Sequence, residues 1–152
     1  MIKAEDLRIG DLVRVRKMKF FSSIIPEDVA YKVTQIISKD SLINNRSSVC
    51  LCLTKTKQNQ TEYPMTCESL LPIPLTPEIL EKNGWKKRTE GWYFMMISKY
   101  MYLSVEFGYE NGIRVFLKRT TDGLYVKLNV ANNVHELQHI LWALGLDAEI
   151  KL

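Results

Sequence analysis

The chain is short of the side chains from which active sites are usually assembled. Both of its histidines, His135 and His139, fall in one five-residue stretch, and its three cysteines, Cys50, Cys52 and Cys67, cannot all pair with one another. A C-x-C with no second cysteine pair or histidine nearby is not a usual zinc spacing. Cys50 and Cys52, on one face of a strand in "SVCLCLT", therefore read as small apolar side chains kept reduced, as does Cys67. There is no phosphate loop and no Gly-x-Gly-x-x-Gly. No Ser/His/Asp set is left once the histidines are placed, so no cofactor and no catalytic residue is expected.

Long apolar runs are also missing. The stretch "WYFMMIS" (92 to 98) is far below the roughly 18 to 20 residues of a membrane-spanning helix, and "MIKAEDLRIG" puts acidic residues where a signal peptide carries its apolar core. A cytoplasmic protein with no membrane partner is the expectation. Charge of one sign is scarce too: 21 Lys+Arg against 17 Asp+Glu leave +4, too little by itself to argue for nucleic acid.

What is present is the balance of an ordinary globular protein, 46% hydrophobic and 25% charged over 152 residues, enough for one compact domain or two small ones. In the first half, "LVRVR" (12 to 16) alternates apolar and basic residues, "AYKVTQII" (30 to 37) is rich in β-branched residues, and "SVCLCLT" (48 to 54) follows a polar stretch. "KDSLINNRSS" (39 to 48) and "KTKQNQTE" (55 to 62) read as turns or hairpin ends, and Gly10-Asp11 as the turn before the first alternation. These features predict an SH3-like small β-barrel over residues 1 to 72.

Pro72, Pro74 and Pro77 in "LLPIPLTP" exclude a central strand and mark a boundary. Thr76-Pro77 starts a short helix as N-cap and first-turn proline, and Asn83-Gly84 ends it. Four strand segments follow, 92 to 98, 102 to 107, 113 to 119 and 124 to 130, joined by turns containing Asn-Gly and Asp-Gly. Ile113, Val115 and Leu117 share one face, as do Leu124, Val126, Leu128 and Val130, with Arg114, Lys118, Lys127 and Asn129 opposite. An α+β unit over 73 to 152 is expected, an α-β-β-β-β-α arrangement whose four-stranded antiparallel sheet has one wet side and is covered by a C-terminal helix at about 134 to 144.

That helix contains "HELQH". In zinc proteases the H-E-x-x-H spacing turns two imidazoles toward one ion while the glutamate activates a metal-bound water. Here His135 and His139 would be the metal ligands and Glu136 the base of a zinc-dependent hydrolase. Context points elsewhere. A catalytic zinc needs a third protein ligand, and "ILWALGLDAEIKL" has tryptophan where the longer motif wants glycine. Asn133 followed by Glu136 spells a capping box. The stripe Val134, Leu137, Ile140, Leu141 and Leu144 lies nearly opposite both histidines, which should then face water or a partner.

The segments "LRIGDLVRV", "LLPIPLTPEILEKNGWKK" and "NVHELQHILWALGLDAEI" together resemble an uncharacterised family of small proteins from Bacteroides-type gut bacteria and their prophages and mobile elements. The family's tail, Val-His-x-Leu-Gln followed by a short apolar helix, corresponds to Val134, His135, Leu137, Gln138, Ala143, Leu144 and Gly145. Glu136 and His139 lie outside that pattern. The resemblance carries no established activity, so it transfers no functional residue.

With no convergent catalytic set, the expected function is that of a non-catalytic binding or adaptor protein, with protein or nucleic acid as partner. Nucleic-acid binding requires basic side chains on phosphates and aromatics stacked on bases. The chain interleaves the two at "KMKFF" (17 to 21), "NGWKKR" (83 to 88) and "RVFLKR" (114 to 119), where Phe116 lies between Arg114 and Lys118. The plainer expectation is that Phe116 and Trp85 pack in a seam between the two units.

Overall fold

The first strand shows how the alternating pattern is used: in β1 (Leu12–Val15) Leu12, Val13 and Val15 are buried while Arg14 faces out. The structure, a computed structural model, describes residues 2, 4–16, 18–20, 23–25, 29–37, 49–54 and 62–152. The sequence readings of "KDSLINNRSS" and "KTKQNQTE", and the side chains of "KMKFF", Cys50 and Cys52, fall outside what is described. The chain divides into two units, Met1–Ile73 and Pro74–Leu152. The whole is mixed α+β with antiparallel sheets. Among the described residues no helix is long and apolar enough to cross a membrane.

In the first unit a hairpin, β2 (Met18–Phe20) and β3 (Ser23–Ile25), follows β1. Next come β4 (Tyr31–Ile37), β5 (Val49–Thr54), β6 (Glu62–Thr66), a 3-10 turn at Cys67–Ser69 and β7 (Leu70–Pro72). The five-stranded sheet has the order β6-β5-β4-β1-β7, every pair antiparallel. Gly10, at φ +102°, makes the turn into β1, with its N–H on Val33 O at 2.7 Å. The buried Asp11 holds the same turn by accepting from the Arg8 N–H at 2.7 Å. Ile2, Leu7, Val13, Val15, Tyr31, Val33, Met65, Cys67 and Leu70 form one core. A closed small barrel was expected, but among the described residues no pairing joins β6 to β7 and the sheet is open. The terminal strand is three residues ending in proline, which has no N–H to offer a further neighbour.

The second unit opens with α1 (Pro77–Lys82). Thr76 Oγ1 accepts from the Ile79 N–H at 3.4 Å, and Pro77 occupies the first turn, where its missing N–H costs nothing. Gly84, at φ +83°, ends the helix: its N–H reaches Glu81 O at 3.0 Å and that of Trp85 reaches Leu80 O at 3.1 Å, a Schellman stop. Asn83 exchanges two 2.8 Å hydrogen bonds with the Lys151 backbone, tying the end of the chain to this helix.

Five strands follow: β8 (Lys86–Thr89), β9 (Trp92–Ser98), β10 (Met101–Glu106), β11 (Arg114–Arg119) and β12 (Tyr125–Val130), in the order β12-β11-β10-β9-β8. The expected four-stranded sheet is therefore corrected to five. The extra strand, β8, is exposed at every position, so its sequence carries no alternation to announce it. The β12 faces also differ from expectation. A bulge between Val115 and Phe116 moves the register so that Val126 pairs with Leu117 whereas Val130 pairs with Arg114. The four apolar residues of the segment thus do not share one side, and at this edge Leu124 and Val126 are both 61% exposed. The other side of the sheet is apolar as expected, with Tyr93, Leu103, Val105 and Val115 buried. Helix α2 (Val134–Ala143) adds Val134, Leu137, Ile140 and Leu141 to the buried set and touches β12.

Candidate functional site

Cross-strand register decides which side chains meet on the wet side of the C-terminal sheet. Trp92 stands opposite Glu106, which stands opposite Arg114; Phe94, Ser104 and Phe116 form the next row, and Met96, Tyr102 and Lys118 the one after. Beyond the β11–β12 bulge, Lys127 lies beside Phe116 and Tyr125 beside Lys118. One face of one sheet therefore gathers aromatic, basic and acidic groups from four strands, with β8 alongside at the edge.

At its centre is Lys118. Its Nζ makes a 2.6 Å ion pair with Glu106 Oε1, both side chains being only about one-seventh exposed, at 14% and 15%. The same ammonium lies 4.5 Å from the Trp92 ring centroid, 4.9 Å from that of Phe116 and 5.8 Å from that of Tyr125. A cation held against ring faces in a partly dry site gains from each quadrupole, about 0.5 to 2 kcal/mol per favourable contact. Glu106 is further occupied: its Oε2 accepts from the Tyr109 hydroxyl at 3.0 Å, and Oε1 from Ser104 Oγ at 3.5 Å. That bond to the carboxylate holds the Tyr109 phenol above its usual range, because the hydroxyl must keep its proton to donate. Arg114 lies over the Tyr109 ring at 3.7 Å, and Arg88 over Trp92 at 4.6 Å.

Beside this cluster is an open groove of about 410 Å³ lined by Lys87, Arg88, Phe94, Met96, Tyr102 and Thr120. Phe94 and Tyr102 meet edge to face, centroids 6.1 Å apart and planes at 77°. The floor is thus aromatic and thioether, and the rim on the β8 side is cationic. Lys87 carries a 2.7 Å ion pair to Glu90, which raises its pKa.

The sequence clusters are used unequally. "RVFLKR" does bring Arg114, Phe116 and Lys118 to one face, but Phe116 is buried, edge to face with Tyr125 at 5.6 Å and beneath the Lys118 ammonium. In "NGWKKR" Trp85 is a core residue, 4% exposed, while Lys86 to Arg88 form the exposed edge. Sequence reading missed Trp92, Phe94, Tyr102, Glu106, Tyr109 and Tyr125 as site residues. The alternation of Trp92, Phe94 and Met96 was available as a signal, but their partners become visible only with the register.

The HELQH segment is arranged differently from expectation. Both imidazoles were expected to project outward; His135 is buried at 4% exposure and His139 is half-buried, the rings edge to face with centroids 5.9 Å apart. A helical wheel weighs only the helix's own apolar positions. The first turn of α2 follows on backbone held by the Pro74–Asn133 bridge and by the Leu75 N–H on Asn132 O at 2.9 Å. Glu136 Oε2 accepts from the Asn133 N–H at 2.9 Å, the glutamate arm of a capping box. For a catalytic zinc the helix supplies two imidazoles of the three ligands needed; among the described residues no group of three or more His, Cys, Asp or Glu is placed to hold a metal ion.

Comparison with protein-family models, with curated proteins and with solved structures finds no match for this chain. The surface itself therefore carries the functional argument.

Proposed function

We propose that the chain is a non-catalytic binding module, an adaptor of the kind carried by prophages and mobile elements, whose recognition surface is the wet face of the C-terminal sheet and whose partner is anionic. The observation that carries this reading is where the charges go. Glu90, Glu106 and Asp122 are each held by a neighbouring cation, Lys87, Lys118 and Arg119. Among the described residues no carboxylate pairs with Lys86, Arg88 or Lys127, so the face keeps a positive surplus that the net charge of +4 does not advertise.

The N-terminal unit is read as SH3-like. Its strand order, the hairpin between β1 and β4, and the 3-10 turn before the last strand support that topology, with the sheet open. Such a unit serves as a second adaptor surface or as a scaffold.

Retention on immobilised heparin at low salt tests the anionic preference. The wild type is retained and elutes as salt rises; Lys86→Glu with Arg88→Glu elutes far earlier, whereas Arg14→Glu, an equal change per residue on the other unit, has a small effect. Wild-type protein that flows through at low salt overturns the proposal.

A further inference from the structure

Resting on the reading of this face as an anion-binding surface, we infer that its groove takes single-stranded nucleic acid, with phosphates on the β8 rim and bases on the Phe94 and Tyr102 rings. Charge and shape both enter. Lys87 and Arg88 line the β8 rim of the groove, where the β8–β9 register shifts between Lys87 and Thr89, and Lys86 stands beside it opposite Phe94; all three are exposed. Behind them the groove floor is half-buried aromatic surface, with Met96 49% exposed.

An acidic peptide would satisfy the rim and leave the rings without a partner. A duplex offers its phosphates but keeps its base faces stacked inside, away from the rings of the groove floor. Only an unpaired strand presents both charges and flat π faces, and open grooves with aromatic platforms are the arrangement that binds it without strong sequence preference. Tyr125, 64% exposed, and Lys127 beyond the Lys118 cluster extend the same chemistry across the sheet.

Fluorescence anisotropy with a labelled 15-mer of deoxythymidine, its uridine counterpart and a blunt duplex of equal length tests this at low salt. Single strands bind saturably and about tenfold or more tighter than the duplex. Neutralisation of about three phosphates gives a logarithmic salt slope near −2, so a tenfold rise in salt weakens binding about a hundredfold. Phe94→Ala and Tyr102→Ala each weaken single-strand binding about tenfold, and Tyr102→Phe, which keeps the ring, binds as wild type. Circular dichroism confirms the fold of each variant; if an alanine variant does not fold, Phe94→Leu and Tyr102→Leu take its place. Equal binding of duplex and single strand, or no effect of removing the rings, overturns the inference and leaves the anion-binding reading standing. Poly-glutamate that displaces the oligonucleotide at equal charge concentration does the same. Failure to bind both heparin and oligonucleotide overturns the two together.

Discussion

Adjacent residues on the same strands of the C-terminal sheet live under opposite rules. Tyr93, Leu103, Val105 and Val115 point to a side with almost no water, whereas their neighbours Trp92, Ser104, Glu106, Arg114 and Lys118 point to a side where charge and π surface are matched one to another. The first side is stabilised by area removed from water and is indifferent to which hydrophobe supplies it, within volume. The second depends on pairwise geometry, and removing one member leaves another unsatisfied. A sheet built this way separates what folds the unit from what it can recognise.

The contrast is broken most strongly from the apolar side. Leu103→Ala, at a position with no exposure, should cost about 3 kcal/mol in urea or heat denaturation, and Val105→Ala somewhat less. Next comes the ion pair. Lys118→Met leaves the Glu106 carboxylate with only its hydroxyl donors and should cost about 2 kcal/mol, while adding Glu106→Gln should restore part of that loss, a coupling read from the double-mutant cycle.

A smaller effect appears only in alkali. The raised pKa of Tyr109 means the unfolded chain gives up its proton first, so the stability this phenol contributes is full below about pH 10 and is lost as pH climbs to the folded-state value. Wild-type stability should therefore fall more steeply than that of Tyr109→Phe above about pH 10, and the variant should lack one late-titrating tyrosine in ultraviolet absorbance. Identical slopes would show that the Glu106 bond does not operate in solution. The smallest effect sharpens the comparison: Arg88→Ala, on an exposed edge, loses only its contact with the Trp92 ring and should change stability by about 1 kcal/mol or less, yet still bring forward elution from heparin.

How much of this was legible in the sequence depends on whether a residue's environment is set by its own strand or by others. The segment 92 to 98 and the caps of both helices were readable, because alternation, Thr76-Pro77, Asn83-Gly84 and Asn133 with Glu136 are local signals. Strand β8 was not, since an edge strand exposed on both sides shows no periodicity. The three-residue strands β2 and β3 were too short to show a period, and β6 carries Pro64, which marks a strand's edge or end rather than its middle. The β12 faces were misassigned because one bulge exchanges the two sides and nothing in "LYVKLNV" marks it. The outward orientation given to His135 failed because a helix's own apolar stripe says nothing of what packs against its other faces. Of the candidate site, the basic half was visible as clusters; Glu106, which organises it, stands opposite its partners only once strands are paired.

The indole of Trp92, with Arg88 and Lys118 both within 5 Å of its ring centroid, is a built-in optical reporter. Iodide drawn to those cations should quench its emission out of proportion to its exposure, and a bound polyanion should shield it. Trp85 lies buried away from quencher and Trp142 stands 65% exposed, so a Trp142→Phe protein would make occupancy of the face readable from intrinsic fluorescence without any label.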